Sequence, residues 1–210
     1  MMRMRVLQML TAVSIGIFVL SLGVATQQPP AGGAPGGGRG GAPAGPGLTL
    51  TSTAWPDGGE IPARHAGAMG VSPALSWTNA PTGTVEFVLI MNDPEPVRPA
   101  LSVSGDILHW LVAKIPATTT SLPEGAGAAD SKTLPAGARL VQPFRGPGAP
   151  AAGPRHHYTL TLYALNAPLE LAANADRAAV MAAMEGKVLA RGIFNGRFMQ
   201  TAVPAPAAAR

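Results

Sequence analysis

From residue 48 onward the apolar residues fall in short runs, each closed off by proline, glycine or asparagine. That punctuation suits strands and leaves little room for long helices. Leu48 to Ser52 (LTLTS) alternates like a half-buried strand, and Ala74 to Trp77 (ALSW) lies between Ser-Pro and Thr-Asn-Ala-Pro. Val85 to Asn92 (VEFVLIMN), Ile107 to Ile115 (ILHWLVAKI) and His157 to Leu165 (HYTLTLYAL) are nearly continuous apolar stretches, as expected of strands buried on both faces. One helix is predicted, over 173–190. It carries a capping residue at Asn174 or Asp176, and Ala179, Val180, Ala183, Met184 and Val188 follow at helical spacing. Many short strands and one late helix predict a mainly β domain, a β-sandwich with few peripheral helices.

The flanks read differently. Arg3 and Arg5 precede a largely apolar stretch from Val6 to Val24, and Gly23-Val24-Ala25 supplies small residues suited to cleavage. Residues 1–25 are therefore predicted to be a signal peptide, with an uncleaved N-terminal membrane anchor as the alternative. Residues 26–47 are almost all Gly, Pro, Ala and Gln, which bury too little to offset the entropy of ordering, so a disordered linker is expected. The domain is predicted over 48–200, with 201–210 (TAVPAPAAAR) a flexible tail. A periplasmic or secreted location follows. With no Cys in the chain, neither lipoprotein acylation nor a disulfide is available.

The net charge of +4 belongs to the ends. Arg3, Arg5, Arg39 and Arg210 lie outside 48–204, which is formally neutral, and no basic run interleaves with aromatics. A nucleic-acid surface is thereby excluded. Membrane contact is expected only through the N-terminal segment.

Side chains alternate across a strand, so position along it assigns a face. Asp93 shares a face with Phe87, Leu89 and Met91 and ends its strand, and Pro94-Glu95-Pro96 follows as a stiff turn carrying a second carboxylate. A cis Glu95–Pro96 bond is one way to swing Glu95 inward. Alternation groups His109 with Ile107, Leu111 and Ala113, and His156 with Tyr158, Leu160 and Leu162. Three apolar strands thus each bring a titratable group to or near an end. His157 points the opposite way and is expected in solvent, and His65 falls in a polar loop with no assigned role.

The order Asp93-Pro94-Glu95-Pro96, His109-Trp110-Leu111-Val112, Gly146-Pro147, then His156-His157-Tyr158 running into Leu162-Tyr163-Ala164-Leu165, resembles the phosphatidylethanolamine-binding (Raf kinase inhibitor-like) family. Gly59-Glu60-Ile61-Pro62 and Ser72 to Trp77 (SPALSW) are similar to its opening strands, and Val188-Leu189-Ala190 and Gly196-Arg197-Phe198 to its closing segment. The resemblance covers about 48–200. It implies a Greek-key β-sandwich and a small pocket for phosphate-like or carboxylate anions, including phospholipid head groups. It places Asp93, Glu95, His109, Gly146, Pro147, His156 and Tyr158 in or around that pocket. The family's usual Asp-Pro-Asp-Ala-Pro is altered here, with Glu95 and no intervening Ala, and Val97 to Asp106 is unlike the aromatic-rich stretch often found there.

The function expected is that of an exported protein binding a small anion or phospholipid head group, able to inhibit or modulate a protein partner, with no enzymatic activity and no cofactor. The alternative is a metal-dependent enzyme using Asp93, Glu95, His109 and His156 as ligands. A hydrolase built on Ser102 or Ser104 lacks the Gly-x-Ser-x-Gly elbow.

Overall fold

The computed structural model describes residues 47–95 and 106–201, and the expectations for the signal peptide, most of the linker and most of the tail lie outside them. Two sheets make up the domain. The smaller has the order β1-β3-β6, formed by β1 (Thr49–Thr51), β3 (Leu75–Thr78) and β6 (Ser121–Leu122). The larger contains β2 (Gly59–Glu60), β4 (Glu86–Asp93), β5 (Ile107–Pro116), β7 (Arg139–Gln142), β8 (His156–Leu165) and β9 (Val188–Phe198). Its order is β2-β9-β8-β4-β5-β7, antiparallel except where β2 runs parallel to β9. Within it β4, β5 and β7 lie side by side and β8 returns next to β4, which is the Greek-key order.

The apolar runs are long because both faces of the large sheet are covered. Between the sheets, Leu50, Leu75, Trp77 and Leu122 meet Phe87, Leu89, Met91, Trp110, Val112, Leu160 and Leu162. On the outer face, Val88, Ile90, Leu111 and Ala113 pack under Leu169 and under Val180 and Met184 of α1 (Arg177–Met184). Each large aliphatic side chain buried this way contributes about 1.5–3 kcal/mol.

The helix is shorter than the sequence suggests. Asp176 caps it, accepting from the amide of Ala179 at 2.9 Å, and it ends before Gly186, whose φ of 73° suits glycine. Val188 opens β9 instead of closing the helix. The helical spacing persisted because alanine fits either pattern, whereas ten cross-strand pairings with β8 decide in favour of a strand. Glycine also disguised β9. A Cβ on Gly196 would stand 2.5 Å from Ile61, and one on Gly192 would stand 2.8 Å from the carbonyl oxygen of Leu48, so both positions need the close approach that glycine allows.

Candidate functional site

Asp93 closes β4 at the end of the inter-sheet core and is almost fully buried. Its Oδ2 accepts a hydrogen bond from Nδ1 of His156, the first residue of β8, at 2.8 Å. Its Oδ1 accepts from the amide of Glu95 at 3.1 Å, which sets the direction of the Pro94 turn. Tyr158, two residues along β8, stacks on the His156 ring and meets the His109 ring edge-on at a centroid distance of 5.1 Å. Burial pushes its phenol far above the ordinary value, and the charge of Asp93 adds to the shift. The hydroxyl therefore keeps its proton, and it accepts from the amide of Gly148 at 3.2 Å.

His109 reaches the same place by a different route from the one simple alternation implies. Leu111 and Ala113, expected beside it, lie in the outer cluster, while His109 lines the pocket. The cause is a β-bulge. Met91 pairs with Trp110 and Asn92 with Leu108, so His109 is the extra residue of β5 and the faces exchange across it. A second irregularity, between Phe87 and Leu89, coincides with Lys114 at φ 57° and returns Ile115 to the inner face. The ring is anchored by Nδ1, 2.6 Å from the carbonyl oxygen of Arg145. Burial holds its pKa below the usual imidazole value, against the opposing pull of the Arg145 carbonyl and of Asp93.

The far wall is the loop between β7 and β8. Gly146 is wedged against the 3-10 turn at Ala63–His65, where an added Cβ would lie 2.5 Å from the carbonyl oxygen of His65. The amide of Gly67 donates to the carbonyl of Pro147 at 2.7 Å and locks the two segments together. His65 is thus no free loop residue. It is fully buried, with Nδ1 2.6 Å from the carbonyl of Val71 and its ring against Trp55.

These elements enclose a cavity of about 580 Å³. Asp93, Glu95, His109, Gly146, His156 and Tyr158 all line it. Pro147 does not; it is buried behind the wall, where its carbonyl holds Gly67. The sequence reading missed Arg145, Gly148, Pro150 and Pro154, which complete the lining with Ile107. Arg145 was legible as the one cation beside Gly146-Pro147. The prolines carry no chemical signal, only stiffness.

Glu95 stands at the rim, with its carboxylate accepting from both the backbone amide and the ring of His157. Burial would raise its pKa, but the hydrogen bonds from His157 outweigh that and hold it below the usual carboxylate range. His157 is exposed as expected, yet it fixes the rim carboxylate from the other side of the strand. Ligand atoms of Asp93, Glu95 and His156 lie within 4.8 Å of one another, a donor set compatible with a metal ion. His109 is not part of that group. No cis peptide bond occurs among the described residues, and the Glu95–Pro96 bond, Ser102 and Ser104 fall outside them.

A Greek-key sandwich with a paired imidazole–carboxylate cavity at the end of its core is built as a ligand-binding module. The chain belongs to the phosphatidylethanolamine-binding protein family, whose sequence profile matches residues 51–199. It is 34% identical over 162 residues to LppC of Mycobacterium tuberculosis, named as a candidate lipoprotein, covering 74% of this chain and 76% of that one. It is 32% identical over 160 residues to a UPF0098 protein of Methanothermobacter thermautotrophicus, covering 72% of this chain and 98% of that one. Among solved structures it is similar to Escherichia coli YbcL, with a TM-score of 0.65 and 27% identity over 73% of this chain and 99% of that chain.

Proposed function

We propose that this protein is an exported binding protein for a small anion of the phosphate or phospholipid head-group type. The observation that carries the reading is the convergence of Asp93, His109, His156 and Tyr158 on one cavity walled by Gly146 and Gly148. Asp93 orients the His156 ring through Nδ1, which leaves Nε2 to meet a ligand. Arg145 adds a cation at the mouth, and glycine on the wall permits close backbone approach. No prepared nucleophile–base pair lines the cavity among the described residues, so binding is the activity proposed.

Export is supported by the basic and apolar N-terminal segment and by the likeness to LppC. A partner protein modulated through the occupied pocket is in keeping with this reading. The test is mass spectrometry of small molecules and lipids that co-purify with the full chain. A phosphate-bearing or other anionic compound in stoichiometric amount supports the proposal; a cationic or uncharged one refutes it. The grouping of Asp93, Glu95 and His156 favours one second reading, a metal centre, which stoichiometric metal in the purified protein would establish.

A further inference from the structure

We propose that the pocket selects oxyanions that still carry a proton, such as hydrogen phosphate or a singly ionised phosphate monoester, over fully deprotonated ones and over phosphodiesters, which narrows the head groups of the reading above to those carried on a phosphate monoester. The inference deepens the anion-binding reading above and rests on it.

Nδ1 of His109 lies 2.6 Å from a carbonyl oxygen, and a carbonyl only accepts, so the ring hydrogen sits on Nδ1. In the neutral ring Nε2 is then a lone pair, and it has no hydrogen-bond partner among the described residues. Burial supports the neutral form. Asp93 already accepts from His156 and from the amide of Glu95, and Glu95 accepts twice from His157. The Tyr158 oxygen accepts from Gly148 and keeps its own proton. On the donor side stand Arg145 and the amide of Gly146, which makes no hydrogen bond among the described residues.

The cavity therefore presents donors together with an unfilled acceptor and two carboxylates. A bare dianion such as sulfate would set an oxygen against the His109 lone pair and within the field of Asp93 and Glu95. An oxyanion with one P–O–H satisfies both demands, its hydroxyl donating to Nε2 of His109 and its other oxygens taking the donors. Leaving that acceptor unpaired once the ligand has displaced its solvent is costly enough to discriminate at least about tenfold.

The experiment is calorimetric titration of the full chain, freed of metal with a chelator, at about pH 8 and about pH 5. The probes are inorganic phosphate, methyl phosphate, dimethyl phosphate, sulfate and glycerophosphoethanolamine. Methyl phosphate loses its last proton near pH 6, whereas inorganic phosphate keeps one at about pH 8. At the higher pH, phosphate should bind at least about tenfold tighter than sulfate or methyl phosphate. At the lower pH methyl phosphate should join it, while sulfate and dimethyl phosphate stay weak. If acidification tightened sulfate as much as methyl phosphate, protonation of the protein would be the cause and the selectivity claim would be overturned, with anion binding intact. Binding of glycerophosphoethanolamine without inorganic phosphate would also overturn it, and would point to an ammonium donor. Failure of every probe would remove the anion-binding reading itself.

Discussion

Replacing Gly146 by alanine tests how the pocket wall is held. The new Cβ would sit 2.5 Å from the carbonyl oxygen of His65, 2.7 Å from the carbonyl carbon of Ala66 and 2.7 Å from the oxygen of Gly67. All three are backbone atoms, so no rotamer change relieves the clash, and the loop must back away. Doing so strains two hydrogen bonds, Gly67 N–H to the Pro147 carbonyl at 2.7 Å and Arg145 N–H to the His109 carbonyl at 2.8 Å. Overpacking costs about 1–3 kcal/mol and a lost backbone bond about 1 kcal/mol, together roughly 2–4 kcal/mol. For a domain of this size that lowers the melting temperature by roughly 4–16 °C. Gly148→Ala is the matched control, because its Cβ would meet nothing within 4 Å and its φ is not in the left-handed region. Thermal melts followed by circular dichroism should separate the two variants clearly. Equal melting temperatures would refute the wedge described here.

The Arg177 guanidinium donates twice to Asp106, at 2.8 and 2.7 Å, and these bonds hold that carboxyl below its usual range despite burial. The stability so gained is present above the unfolded carboxylate pKa and is lost as pH falls through the lower folded value. Arg177→Ala should cost about 1–2 kcal/mol at neutral pH, and melts at falling pH should show the gap to wild type closing; a constant gap would count against the pairing. His109 has the opposite chemistry and the same direction. Its folded pKa is depressed by burial, so below about pH 6.5 the unfolded chain takes up a proton that the folded one resists, and stability falls. His109→Gln should flatten that acid limb in urea titrations, and an unchanged limb would mean the ring charges freely in the fold. His157→Ala should leave the melting temperature within a few degrees while weakening anion binding only modestly, because it acts through Glu95 at the rim.

Much of this arrangement was legible because burial on both faces writes β4, β5 and β8 as continuous apolar text, and a polar residue in such text stands out. Asp93, His109 and His156 were found for that reason. Alternation alone sends His109 to the outer face with Leu111 and Ala113, and only the bulge, set by the register in which β5 pairs with β4, turns it inward. Short strands such as β2 and β6 have two residues each and no periodicity to read. β9 was hidden by glycines whose purpose is contact with distant chain, and His65 by a loop whose burial depends on Trp55 and Val71. The bulge and the glycines of β9 both answer to contacts between residues far apart in sequence.

The central claim is that the cavity between β4, β5 and β8 is where an anion binds. NMR of the isotope-labelled full chain, titrated with inorganic phosphate, tests it most directly. The account predicts saturable shifts at the Gly146 amide and at the ring nitrogens of His109 and His156, with the buried His65 ring unmoved. Saturable shifts confined to other residues, or none at these three as phosphate approaches high millimolar concentration, would contradict it.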